Sequence, residues 1–103
     1  AKGANLAGLD LTGVQLQGAS LEGCSLRGAV LTGADLRGAR LMGADLTKAD
    51  LTEANLGPLP LGPDRATPAN LTGARLRYAR LDRAILKDAV MAGADTRGAK
   101  LPE

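Results

Sequence analysis

The sequence predicts an all-β solenoid, and three observations lead to that prediction. A leucine recurs at every fifth residue over 6–56 and again over 71–86, and the phase continues to Leu101 with two substitutions. Two positions before each central residue stands a small residue, nearly always Ala, and 12 of the 14 glycines stand two positions after it. The chain has no Phe and no Trp, so its core has to be built from Leu and Ala in repeating layers.

A period of five residues excludes the common regular structures. Successive leucines would lie about 140° apart around an α-helix, and they would alternate between the two faces of a long strand. Collagen requires Gly at every third residue. The remaining arrangement is a chain that turns after each pentad, so that every Leu and Ala points to the axis. Gly supplies the conformational freedom at each corner, and the Asn or Asp that often precedes the central Leu can hydrogen-bond the turning backbone.

Two pentads show the pattern most clearly: Ala34-Asp35-Leu36-Arg37-Gly38 and Ala44-Asp45-Leu46-Thr47-Lys48. They resemble the repeats of the pentapeptide-repeat family, and the resemblance covers residues 4–56 and 69–101. It implies a right-handed quadrilateral β-helix with four pentads per coil, so 18 pentads would give four to five coils. We expect residues 1–103 to form a single solenoid domain. The resemblance implies little about function, because members of the family serve many roles.

Residues 57–68 interrupt the repeat and hold four of the five prolines. Proline removes backbone donors, so we expect a loop that protrudes from the solenoid. Leu59 and Leu61 keep the Ala and Leu phases, so part of the loop could still pack on the column. Two interpretations stay open: a tolerated surface insertion, or a partner-binding loop that presents Leu59, Leu61, Asp64 and Arg65.

The loop also decides how the outer side chains stack. If it is looped out, Leu71 takes the next face after Leu56, and Asp45, Arg75 and Asp95 form one outward column while Thr12, Thr32 and Thr52 form another. Arg77 and Arg97 then stack on one face near Arg27. A loop that spans three full faces would shift these columns. We favour the looped-out arrangement, because an Asp–Arg–Asp ladder is favourable on a β-surface.

The residue types that catalysis and metal binding require are scarce. The chain has no His, and Cys24 stands in the small-residue phase, where we expect it to replace a buried Ala. The aspartates point outward in single file rather than converging on a cation such as Ca²⁺, and the glycines are not in a phosphate-binding loop. We therefore expect a protein that is not an enzyme and that uses no cofactor and no metal ion.

The outer surface offers two candidate regions. One is the loop, and the other is a basic cluster in which Arg75, Arg77, Arg80 and Arg83 surround Tyr78. Residues 59–103 carry eight basic and five acidic side chains. The cluster could bind nucleic acid or another anionic partner, or it could be an ordinary solvated face broken up by aspartates.

The leading hypothesis is a scaffold or protein-interaction module of bacterial style, whose partner is another protein or a fused domain. No capping element is visible at either end, so we expect either part of a longer protein or end-to-end self-association. No apolar run is long enough for membrane insertion, and a cytoplasmic location is favoured although the compartment stays open. Relatives that protect DNA gyrase by resembling DNA need a long acidic rod, and the net charge of +2 argues against that role.

Overall fold

This computed structural model describes residues 2–102, and it confirms the right-handed quadrilateral β-helix. Each pentad of an inner coil forms one parallel β-bridge with the next coil and one with the previous coil, and residue i pairs with residue i+20, as in Asn5–Ser25 and Ser25–Asp45. Four pentads therefore make one coil, and the 18 pentads make about four and a half coils. The longer strands within the described range are β1, Leu59–Gly62, and β2, Arg65–Thr67, and residues 2–102 contain no helix.

Backbone hydrogen bonds between coils follow one rule throughout. The N–H of the central residue donates to the next coil along the chain, as from Leu26 N–H to the Asp45 carbonyl oxygen (2.7 Å). The N–H of the residue before it donates to the previous coil, as from Asp45 N–H to the Cys24 carbonyl oxygen (2.9 Å). Because every inner coil is paired on both sides, its backbone is satisfied without long strands.

Each corner is a four-residue turn. Ala29 N–H donates to the Leu26 carbonyl oxygen (3.0 Å), and Gly28 between them has a φ of 66°. The predicted role of Asn and Asp is confirmed, because their side-chain oxygens accept the backbone N–H two residues later and so hold the turn. The residues that do so are Asn5, Asp10, Asp35, Asp45, Asp50, Asn55, Asn70 and Asp95.

The core is a stack of leucine and alanine layers. Every central leucine from Leu26 to Leu81 is at most 1% exposed, and the alanines between them are equally buried. Cys24 lies among these alanines and is fully buried, as its phase predicted. Toward the ends of the solenoid, Leu6, Leu11 and Leu16 in the first coil and Leu86 near the other end are only partly buried, and Leu101 is exposed. The core side chains are therefore most completely buried in the two middle coils.

The looped-out arrangement is correct. Bridges join Arg40 to Asn70 and Asp45 to Arg75, a spacing of 30 residues, and the spacing returns to 20 from Asn70 onward. Ten residues are therefore inserted at one corner without changing the order of the faces. The predicted columns of Asp45, Arg75 and Asp95, and of the three threonines, are both present.

The inserted segment is a β-hairpin that folds back against the solenoid. Leu59 pairs with Thr67, and Pro60 pairs with Ala66, in antiparallel register. Leu59 is half-buried because it packs on the outside of the corner formed by Gly18 and Gly38, and it does not enter the core. The phase of Leu59 and Leu61 therefore does not continue the core, since neither residue joins the Leu and Ala layers.

Candidate interaction surfaces

One face of the solenoid carries most of the surplus positive charge, and we call it face 1. It comprises two outward columns and the corner that follows them. The columns are Asn5, Ser25, Asp45, Arg75, Asp95 and Ala7, Arg27, Thr47, Arg77, Arg97, and the corner is Gly8, Gly28, Lys48, Tyr78, Gly98.

Face 1 has five cationic side chains and two carboxylates. The next face along the chain, face 2, has the reverse balance, with three cations (Arg80, Arg83 and Lys100) and four carboxylates (Asp10, Asp50, Glu53 and Asp82). The net charge of +2 is thus unevenly distributed, and an anionic partner would be attracted mainly to face 1.

The two carboxylates of face 1 are already engaged by arginines. Asp45 accepts from Arg27 Nη1 (3.2 Å) and from the Thr47 hydroxyl (2.6 Å). Asp95 accepts from Arg77 Nε (2.6 Å) and, through both oxygens, from the Arg97 guanidinium (2.8 and 3.0 Å). Asp45 and Asp95 therefore do not leave a net negative strip on this face.

Arg75 lies between these two aspartates in its column, yet it forms no ion pair with any residue of the range 2–102. The column has the predicted order, but its charges pair diagonally with the neighbouring column. The reason is local: the Thr47 and Arg97 backbone N–H groups fix Oδ1 of Asp45 and Asp95, which turns each carboxylate toward that column. Arg75 is left exposed with its guanidinium uncommitted.

An open groove of about 670 Å³ runs across face 1. The corner formed by Gly73 and Gly93 has no side chains, so the groove opens there, whereas Lys48 and Tyr78 form the opposite rim. The residues that line it are Arg27, Thr47, Lys48, Gly73, Arg75, Arg77, Tyr78, Gly93 and Asp95.

Tyr78, the chain's one aromatic residue, replaces Gly at a corner and has a φ of 59°. Its side chain lies against the next coil, because a Cβ added to Gly98 would be 2.6 Å from the Tyr78 ring carbons Cδ1 and Cε1. The residue is nevertheless 62% exposed. It is therefore an ordered aromatic surface at the rim of the groove.

The structure separates the basic cluster that the sequence indicated. Arg75, Arg77 and Tyr78 belong to face 1. Arg80 lies on face 2 and pairs with Asp82 (3.0 Å), and Arg83 lies at the following corner and pairs with Glu53 (3.2 Å). Sequence proximity grouped residues that the solenoid turns in different directions.

Besides Gly73 and Gly93, the lining residues Thr47 and Lys48 were not among the sequence candidates. The signal for them was present, because the 20-residue period and the ten-residue insertion together place Lys48 next to Tyr78. Arg27 was found by that reasoning, since the looped-out arrangement predicted it near Arg77 and Arg97, and the hydrogen bonds between coils confirm the column.

The hairpin forms a second, separate surface. It leaves the solenoid at the corner between the third and fourth faces, which does not border the groove. Leu61 is 51% exposed, and Asp64 at the turn and Arg65 at the start of β2 are also exposed, whereas Leu59 faces the glycine corner. The sequence candidates in this segment therefore divide into one packing residue and three that point away from the solenoid.

Within 2–102, no group of three or more His, Cys, Asp or Glu side chains converges as a metal site would require. Aspartates in the repeat columns, such as Asp45 and Asp95, instead accept from turn N–H groups and from arginines.

Comparison with known proteins identifies the family. The family model described as pentapeptide repeats matches residues 1–28, 20–57 and 69–102, in eight copies. The chain belongs to the pentapeptide-repeat family. The hairpin is the part of this pentapeptide-repeat chain that the matches leave out, in agreement with its different structure.

Solved structures agree with this assignment. The pentapeptide-repeat protein Rfr23 from the cyanobacterium Cyanothece 51142 is 31% identical, with a TM-score of 0.84, over 97% of this chain and 62% of that chain. The pentapeptide-repeat protein alr5209 from Nostoc PCC 7120 is 32% identical, with a TM-score of 0.56, over 96% of this chain and 74% of that chain. This chain thus spans less than two thirds of Rfr23. A comparison with curated proteins found no significant match.

Nothing in residues 2–102 has the form of a membrane-crossing helix.

Arginine contacts lower the pKa of several carboxyl groups on this pentapeptide-repeat protein. Hydrogen bonds from Arg37 lower the pKa of Asp35, and a hydrogen bond from Arg40 lowers the pKa of Glu22. At Asp45, burial raises the pKa, but the hydrogen bonds from Thr47 and Arg27 together outweigh it, so the pKa is lowered. The folded state therefore favours the charged form of each group.

These shifts predict a loss of stability in acid. The ordinary values are 3.8 for Asp and 4.5 for Glu, and the folded-state pKa of each group lies below them. The stabilisation is complete above the ordinary values and is lost as the pH falls through the lowered ones. Denaturant unfolding between about pH 7 and pH 2 should show stability that falls below about pH 5.

Arg37→Gln should flatten this acid dependence, because the pKa of Asp35 would return toward 3.8. Lys87→Gln is the matched control: it removes the same charge from the same column, and Lys87 has no ion pair within residues 2–102. An identical pH profile for the two variants would contradict the assignment.

Proposed function

We propose that this chain is a non-enzymatic protein-interaction module, with residues 1–103 as one solenoid domain that presents its outer surface to a partner. The observation that carries the proposal is the groove on face 1, where Arg75 and Lys48 are exposed and form no ion pair within residues 2–102. Uncommitted charge beside an ordered aromatic residue is typical of binding surfaces.

The rest of the solenoid supports a binding role rather than a catalytic one. The interior is filled by Leu and Ala layers, and the groove holds no His and no Cys. Its ionisable groups are arginines, a lysine, an aspartate held by two arginines, and Tyr78. This set can attract and orient an anionic group, but it lacks a base or nucleophile positioned for chemistry.

The proposal can be tested by incorporating a photo-crosslinking amino acid at one of three exposed positions of the chain and irradiating the cells that produce each variant. Position 48 reports on the groove, position 61 reports on the hairpin, and position 72 on the fourth face is the control. A discrete adduct with another protein is expected at position 48 or 61 and not at 72. Adducts that are absent or identical at all three positions would contradict an interaction role for these surfaces.

A second candidate is the binding of nucleic acid or another anionic surface through Arg75–Arg83. The free guanidinium of Arg75 favours it, whereas Arg77, Arg80 and Arg83 already have acidic partners. A shift in electrophoretic mobility with DNA or RNA that weakens as salt rises would support this candidate. A lack of binding at low salt would remove it.

End-to-end self-association is a further proposal about partners. Leu9 in the first coil is 46% exposed and Leu101 in the last is 47% exposed. A neighbouring coil, whether from a second copy or from a fused domain, would cover both. Sedimentation showing only monomer over a wide concentration range would exclude self-association between copies.

A gyrase-protecting mimic is disfavoured, because the molecule measures 36 × 31 × 26 Å and is slightly basic.

A further inference from the structure

The guanidinium of Arg75 lies in the groove on face 1 and has no acidic partner among residues 2–102. Arg75 lies on a coil whose neighbours above and below carry Asp45 and Asp95 in the same column, at the β-spacing of about 4.8 Å. Both carboxylates are nevertheless turned away and held by Arg27, Arg77 and Arg97. Arg75 is therefore exposed, centrally placed and supplied with donors that no residue of 2–102 accepts.

Other positively charged side chains near Arg75 also favour the binding of an anionic group. Lys48, on the corner that bounds the groove, is exposed and also has no ion pair within the described chain. Arg77 and Arg97 share one carboxylate, so that trio retains a positive charge. A guanidinium with its planar fork free is suited to a planar carboxylate, which it can bind through two parallel hydrogen bonds.

The same residues disfavour the other anionic macromolecules. Single-stranded nucleic acid needs several aromatic side chains for base stacking, and this chain has only Tyr78. A duplex presents a continuous line of phosphates, whereas face 1 has cations interrupted by Asp45 and Asp95. A membrane surface favours several apolar side chains beside the cations. Of the large exposed hydrophobic residues within 2–102, only Tyr78 lines the groove, whereas Leu61 and Ile85 lie elsewhere.

We propose that the groove on face 1 binds an acidic segment of a partner protein, and that Arg75 anchors it by binding a carboxylate while Lys48 and Tyr78 contact the flanking residues. The inference rests on the proposed interaction function and names the chemistry of the partner. A segment with acidic side chains separated by small residues fits an open groove whose Gly73 and Gly93 side has no side chains.

The test uses a fluorescent decapeptide of alternating Glu and Ser, and binding is followed by anisotropy at about 0.05 M salt, where surface charges are weakly screened. The wild-type chain should bind the peptide, and Arg75→Ala should weaken binding by about tenfold or more, as expected for loss of a bidentate charged contact. Arg75→Lys keeps the charge but loses the planar fork of the guanidinium. It should weaken binding by about threefold, which is half of the tenfold effect on a logarithmic scale.

Lys87→Ala is the control, because it removes one exposed positive charge from a different face. It should weaken binding by less than about twofold, since only the long-range field changes. Arg75 and Lys87 are both exposed, so neither variant disturbs the core, and thermal unfolding can verify that both remain folded.

Three results would overturn the inference: no binding of the Glu–Ser peptide, equal weakening by Arg75→Ala and Lys87→Ala, or tighter binding of a ten-residue oligothymidylate or of vesicles of phosphatidylserine. These outcomes are distinct from failure of the proposed function. A crosslinked protein at position 48 together with no peptide binding would leave an interaction module whose partner is not acidic.

Discussion

Leu46→Ala should lower the free energy of unfolding by about 2–5 kcal/mol, the range for a leucine removed from a tightly packed core. Leu46 is fully buried in a middle coil, between the layers of Leu26 and Leu76. Backbone hydrogen bonds hold its layer on both sides, as in the 2.6 Å bond from Leu46 N–H to the Arg75 carbonyl oxygen. The coils cannot close toward the cavity without breaking these bonds, so little of the loss is recovered.

Leu11→Ala is the matched control for this prediction. It removes the same atoms at the same position of a pentad, but Leu11 is only partly buried in the first coil. Its cost should be clearly smaller, because less apolar surface returns to water and solvent can fill the space. Denaturant unfolding followed by circular dichroism measures both variants. Equal losses would mean that the first coil is as tightly packed as the middle ones.

Gly38→Ala should destabilise the protein much more than Gly33→Ala, although the two glycines have the same φ of 66°. Both variants place Ala in a left-handed conformation, which costs about 1–2 kcal/mol. At Gly33 the new Cβ meets nothing within 4 Å, whereas at Gly38 it would lie 2.7 Å from Thr67 Cγ2 and 2.8 Å from Leu59 Cβ. That overlap should add about 1–3 kcal/mol, as in an overpacked core. Denaturant unfolding of both variants measures the difference.

A chain without the hairpin is the control for the comparison of Gly38→Ala with Gly33→Ala. Deletion of 58–67 combined with Pro68→Gly joins Gly57 to a glycine followed by Ala69 and Asn70, which restores an uninterrupted repeat. We expect this shortened chain to fold, because the deletion removes the ten inserted residues and preserves the order of the faces. In it, Gly38→Ala and Gly33→Ala should cost the same. A difference that persists without the hairpin would show that the contacts with Leu59 and Thr67 are not its cause.

The turn chemistry and the core were predictable from local sequence. An Asp such as Asp45 accepts a hydrogen bond from the backbone N–H two residues later. Leu46 is predicted to point inward because it occupies the central position of its pentad. These relations lie within one pentad and recur along the repeat, so the local sequence is enough to recognise them. The position of Cys24 in the small-residue phase likewise predicted its burial.

The candidate surfaces were only partly predictable. Arg75, Arg77 and Tyr78 were recognised and do lie on one face, but Arg80 and Arg83 turn onto other parts of the surface. Lys48 was not recognised, although the looped-out arrangement places it beside Tyr78, which is 30 residues later in the chain. A contact of that kind depends on how many residues the insertion contributes, and the local pattern around residues 57–68 fits more than one answer.

The sequence by itself determined the coil: the phase of Leu, Ala and Gly requires a β-solenoid, because no other backbone places all those residues inward. Only the tertiary structure decided which charges pair between coils. Asp45 accepts from Arg27 and Asp95 accepts from Arg77, each on the preceding coil, and Arg75 is left free. The hairpin folds onto Gly38 instead of extending into solvent. The physical reason is distance along the chain. The turns and the inward phase of each central residue are set within five residues. The ion pairs between coils and the docking of the hairpin join residues far apart in the chain, where side-chain orientation and available space select among several partners.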